Sequence, residues 1–163
     1  MGLWALLGVI AWITKYFPGK YNNFSIFRQS FWHTLNELPL YAAYPEEYND
    51  IFHYGPVFSL VVAPFAITPL WLGLLTSSVA QSLFLFWAVK MLPGIKRERI
   101  FIYWFCAHEL LTSLFMSQFN ISIAAIIVLA YALIEKEKDV WAAFVIMLGT
   151  FTKLYLSLIH ISE

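Results

Sequence analysis

From Tyr54 to Val89 the chain carries no Asp, Glu, Lys or Arg, and between Ile100 and Ile134 the only such residue is Glu109. Uncharged apolar runs of this length are what a membrane crossing requires, because a helix needs about 20 apolar residues to span the hydrocarbon core. Composition agrees: 61% of the residues are hydrophobic and 12% charged, against roughly a quarter charged in soluble domains. The chain therefore reads as an all-α, polytopic helical membrane protein in contact with a lipid bilayer. A formal net charge of zero leaves no basic stripe, which argues against nucleic acid as a partner. The single cysteine, Cys106, lies in an apolar run. It excludes an internal disulfide and a cysteine metal cluster, and reads as a small buried apolar residue.

The apolar blocks predict spans at about 1–14, 70–91, 100–117, 119–134 and 140–155. The block at 55–68 decides the topology. As helix, the uncharged run that contains it is about 54 Å long, whereas two crossings of a core roughly 30 Å thick need about 60 Å plus a turn. Pro64 and Pro69 also interrupt it, so 55–68 reads as a short interfacial or re-entrant helix. The outer loop, 15–69, then holds a second interfacial helix at about 23–36, capped by Asn22 or Asn23. In that helix Phe24, Phe27, Phe31 and Leu35 recur at helical spacing, Ser25, Arg28, Gln29 and His33 take other faces, and Pro39 is the stop signal. Lys90, Lys96, Arg97 and Arg99, and then Lys136 and Lys138, mark basic cytoplasmic turns. A hairpin reading of 54–89 stays open and would reverse those turns.

With one span between the outer loop and the first basic turn, the polar side chains gather on the outward face. They are Asn22, Asn23, Arg28, Glu46, Glu47, Asp50, His53, Gln118, Asn120 and Lys153. A carboxylate at a membrane interface can act as a general base; the same three acids also fit a solvated loop. Gln118 and Asn120 interrupt two apolar blocks, either to meet a substrate or to bond helix to helix. Lys153 fits an anion-binding residue or a snorkelling helix-end lysine. His108 and Glu109 fall near mid-span, where an ionisable pair is costly, so they are expected to face the bundle interior or a cavity. No phosphate-binding glycine loop, zinc helix or nucleophile elbow occurs.

Residues 156–163 read LSLIHISE, which resembles the translation of a sequencing-library adaptor and is expected to be a non-native tail. Residues 1–155 are then expected to be a partial transmembrane domain of a longer protein.

Four strings in order, YNNFSIFRQSFWHTLNELPLY, HYGPVFSLVVAPFAITP, ELLTSLFMSQFN and FTKLY, resemble the membrane glycosyltransferases of the GT-C class, specifically glycosyltransferase family 87, in a Bacteroidetes-like form. The resemblance implies a multi-pass enzyme of the bacterial inner membrane that uses no cofactor and no metal. It would move a hexose, mannose-like, from a polyprenyl-phosphate donor to a lipid or cell-envelope glycan acceptor on the outer side. It places the donor phosphate near Lys153 or Arg28, and the substrates among Asn22, Asn23, His53, Tyr54, Gln118 and Asn120. Such enzymes carry an Asp just before the surface helix; here Asn22 and Asn23 stand at that place. The base is then expected to be Asp50, Glu47 or Glu46, with Asp50 first. Rival readings are a transporter or lipid flippase with His108 and Glu109 as its pathway, and a non-catalytic membrane scaffold.

Overall fold

The computed structural model describes residues 1–153; the end of the expected span 140–155 and the expected tail 156–163 lie outside the described residues. Within them the chain is all-helical, with α1 (Gly2–Tyr16), α2 (Asn22–Leu35), α3 (Val57–Ala66), α4 (Leu70–Met91), α5 (Lys96–Phe115), α6 (Asn120–Ile134) and α7 (Asp139–Thr152). Among the described residues only α4 is long and apolar enough to cross a membrane by length and composition, while α1, α3, α6 and α7 are shorter apolar helices.

Small residues set the packing around α4. Gly8 on α1 lies so close to α4 that a Cβ there would meet Val79 Cα at 2.8 Å, and Ser82 Oγ donates to the Trp4 carbonyl at 2.6 Å. Small side chains allow this approach, and a hydroxyl replaces bulk with a bond across the helices. Trp4, Leu85, Leu110, Leu114, Ala125 and Leu129 then form one core linking α1, α4, α5 and α6. A second core is aromatic: Phe27, Tyr48, Phe52 and Phe58 are all buried, with Phe27 edge-on to Phe58 at 4.8 Å and Tyr54 stacked on Phe58 at 4.5 Å. It joins α2 and α3 to the loop 36–54.

Phe24 and Phe27 are buried as the stripe predicts, but the loop exchanges the expected burial at the end of α2. His33, expected on a polar face, is 2% exposed, whereas Leu35, expected on the apolar stripe, is 60% exposed. The cause is that 36–54 folds back over the helix, with the ring of Tyr44 3.9 Å from that of His33. Nor does Asn22 or Asn23 cap α2; the N-cap is Tyr21, without a side-chain bond. The helix also stops before Pro39. Leu38 N–H donates to the His33 carbonyl at 2.8 Å and Glu37 takes φ +57°, the left-handed close of a Schellman motif.

His108 and Glu109 do not face the interior. Their side chains are 86% and 80% exposed, because the helical repeat turns the face of Tyr103, Ala107, Leu110 and Leu114 toward the core and leaves Phe101, Trp104, Phe105, His108 and Glu109 on the other side. Cys106, expected to be buried, is half-buried at the margin of that face.

Candidate functional site

At one end of the bundle, four separate stretches of chain close on a hollow of about 380 Å³, lined by Asn23, Ile26, Phe27, Asp50, Ile51, His53, Tyr54, Gln118, Asn120 and Lys153. Each stretch is fixed by its own local device. α5 ends in a Schellman motif, with Ser117 at φ +49° and Gln118 N–H bonded to the Ser113 carbonyl at 3.0 Å, which turns Gln118 into the hollow. Gly55 N–H donates to the Thr152 carbonyl at 3.0 Å, so the end of α7 is docked on the loop and Lys153 reaches the same space. Only glycine fits there, since a Cβ on Gly55 would collide with the Phe151 carbonyl.

A polar chain crosses the floor. Lys153 Nζ donates to Asn120 Oδ1 at 2.6 Å, and Asn120 Nδ2 donates to Gln118 Oε1 at 2.8 Å. The ammonium also sits 5.2 Å from the centre of the Tyr54 ring, a cation–π distance. Each amide is thereby oriented by its neighbour. This leaves a positive centre backed by oriented dipoles, which suits an anionic oxygen.

Opposite stands Asp50 at φ +91°, a conformation that L residues adopt at a cost of about 1–3 kcal/mol. Its Oδ1 accepts from Ile51 N–H at 2.8 Å and faces His53 Nε2 at 3.4 Å. The Ile51 bond first, and then His53, hold its carboxyl below the ordinary aspartate value. It is therefore ionised and accessible at neutral pH. The backbone beside it is clamped by Asn22, which donates to the Asn49 carbonyl at 2.6 Å and accepts from Asn49 N–H at 2.8 Å.

Of the residues singled out in the sequence, the hollow thus gathers Asp50, Asn23, His53, Tyr54, Gln118, Asn120 and Lys153. Four others lie elsewhere. Arg28 spends Nε on the Ala66 carbonyl at 3.2 Å and Nη2 on the Thr68 carbonyl at 3.4 Å, closing the end of α3. Glu47 pairs with His33 at 2.9 Å, Asn22 serves the loop clamp, and Glu46 is exposed. Sequence reasoning missed Ile26, Phe27 and Ile51, which form the apolar part of the lining; nothing in a local pattern marks them off from core. Among the described residues no group of three or more His, Cys, Asp or Glu is placed to hold a metal ion.

Behind the hollow lies a second, apolar groove of about 330 Å³ between α3, α4, α6 and α7. Phe119, the neighbour of Gln118 and Asn120, lines it, as does Thr152, the neighbour of Lys153. Residues adjacent in the chain thus line the polar and the apolar space.

The profile of glycosyltransferase family 87 matches residues 52–159. The chain belongs to that family. No curated protein and no solved structure matches it. This family 87 chain is accordingly a glycosyltransferase, with a sugar donor and an acceptor as its substrates, in a family of membrane enzymes for which α4 fits one crossing. The matched segment takes in His53, Tyr54, Gln118, Asn120 and Lys153, while Asn22, Asn23, Arg28, Glu46, Glu47 and Asp50 precede it.

Proposed function

We propose that this glycosyltransferase takes a hexose, mannose-like, from a polyprenyl-phosphate donor and transfers it to a lipid or cell-envelope acceptor at the outer face of the bacterial inner membrane. The observation that carries this reading is the pairing of a polar hollow, holding Lys153 and Asp50, with an apolar groove lined by Phe119 and Thr152, the chain neighbours of Gln118, Asn120 and Lys153. A donor that is half phosphate and half hydrocarbon needs both at once. Lys153, steadied by Asn120, would hold the phosphate, and the groove between α4, α6 and α7 would take the isoprenoid chain.

In the transfer step the acceptor hydroxyl oxygen bonds to the anomeric carbon, and the bond from that carbon to the phosphate oxygen breaks. The electron pair leaves with the carrier phosphate, whose growing charge Lys153 meets. Asp50 takes the hydroxyl proton, and His53 stands beside it to share the charge. Glu47, bonded to His33, holds the loop instead. The arrangement also weakens the transporter reading, whose pathway residues His108 and Glu109 lie on the outside of α5.

Membranes carrying the protein, supplied with labelled polyprenyl-phosphate sugars, test the proposal. Transfer from one such donor, lost in Asp50→Asn and in Lys153→Gln, is the expected result. Transfer undiminished in Asp50→Asn, or absent with every polyprenyl-phosphate sugar, overturns it.

A further inference from the structure

A third hollow, of about 210 Å³, opens on the other side of Asn23, lined by Lys15, Lys20, Asn22, Asn23, Phe115, Met116 and Ser117. Two lysines lie in it and no acidic side chain does. Two helices end here, α1 and α5, and terminal carbonyls would ordinarily make such a place electronegative. Several of their acceptors are already taken. Lys20 N–H bonds to the Lys15 carbonyl at 2.9 Å and Gly19 N–H to the Tyr16 carbonyl at 3.1 Å, while Asn23 Nδ2 donates to the Met116 carbonyl at 2.7 Å. Donors remain. Among the described residues neither lysine ammonium is bonded or ion-paired, and the first turn of α2 has no side-chain cap over its N–H groups.

The surroundings would suit a lipid headgroup. Trp12 stacks on Tyr16 at 5.7 Å, Tyr16 stacks on Tyr21 at 6.2 Å, and Met116 is exposed on the opposite wall. Aromatic rings and paired lysines over an apolar border mark the depth at which headgroups sit. We propose that this hollow is a second anion site, separate from that at Lys153, which holds the phosphodiester of an anionic phospholipid headgroup between Lys15 and Lys20. The proposal rests on the membrane reading above but not on sugar transfer, so it is tested without a donor.

The purified chain in neutral detergent is titrated with short-chain phosphatidylglycerol, short-chain phosphatidylcholine and inorganic phosphate, with binding read by native mass spectrometry and helix content by circular dichroism. Phosphatidylglycerol should bind saturably and more tightly than the other two. The pair Lys15→Gln and Lys20→Gln should weaken it at least about tenfold, as expected for two lost charge-assisted bonds. The corresponding arginine pair should restore it. The exposed Lys20→Gln alone gives a smaller loss and serves if the double variant is misfolded. Equal binding by wild type and the glutamine variants overturns the proposal. Inorganic phosphate binding as tightly as phosphatidylglycerol overturns the lipid assignment and leaves a free-phosphate site.

Discussion

Lys153 Nζ lies 2.6 Å from Asn120 Oδ1, and Asn120 in turn donates to Gln118. The lysine is thus held by a side chain from a different helix, which fixes where its charge sits. A positioned cation stabilises a leaving phosphate better than a mobile one, because the ordering cost is met before the reaction. Lys153→Gln is expected to weaken binding of a polyprenyl phosphate at least about tenfold, and Asn120→Ala by a smaller factor because the ammonium stays. Titration of both variants with the same lipid phosphate checks the order; a larger loss in Asn120→Ala would show that the amide itself is the contact.

Asp50 and Glu47 should separate cleanly. Among the described residues Glu47 is the one hydrogen-bond partner of the buried His33 ring, whose Nδ1 is already without one. Glu47→Ala is expected to cost about 1–3 kcal/mol of stability by leaving His33 buried and unbonded. Asp50→Asn, in an exposed position, should change thermal unfolding little and transfer greatly. Melting curves and transfer rates measured on both variants give the comparison, and the reverse pattern would move the base to Glu47.

The Asn22 clamp predicts a stability loss that no conservative swap repairs. Asn22→Ala removes both bonds to Asn49 and should cost about 1–2 kcal/mol. Asn22→Asp keeps the acceptor but points a carboxylate at the Asn49 carbonyl, so a similar loss is expected. Chemical denaturation reads both, and a neutral Asn22→Asp would mean that the loop shifts to accept it.

On acidification Asp50 should stay ionised below the range of an ordinary aspartate, because its folded value is depressed. Any stabilising effect of its charge is present above the unfolded value and lost as pH falls through the folded one. His53→Ala should raise the Asp50 value only in part, since the bond from Ile51 is the larger cause. Carboxyl chemical shifts followed against pH would show this; a full return to the ordinary value would make His53 the main cause.

Much of this was legible in the sequence and some was not. Uncharged runs and helical spacing give the helices, because burial periodicity is a local property. The polar break at Gln118 and Asn120 announced itself because amides are rare among apolar residues. The burial of His33 did not, since it depends on residues 36–54 folding back, a long-range event with no local signature. Arg28 and Glu47 looked like site residues by type, yet each has a nearer partner, the end of α3 and His33. The outward turn of His108 and Glu109 was likewise a matter of helix phase, settled by where Leu110 and Leu114 pack.

Gly55→Ala tests the docking of α7. The added methyl would strike the Phe151 carbonyl, and overpacking against backbone costs about 1–3 kcal/mol. Donor binding should fall along with stability, because Lys153 is carried on the displaced end. Thermal melts and lipid-phosphate titration of the variant measure both effects.

The bond between Gly55 and Thr152 also sets an order of events during synthesis. Asp50, His53 and Tyr54 leave the ribosome long before the helix that brings Lys153, so the early loop waits, without its cation, until α7 has been made and docked. Closing a loop of that length carries an entropic penalty that only the finished contact offsets. A nascent chain stalled before α7 would therefore hold most of the hollow and yet lack the cation that Lys153 supplies.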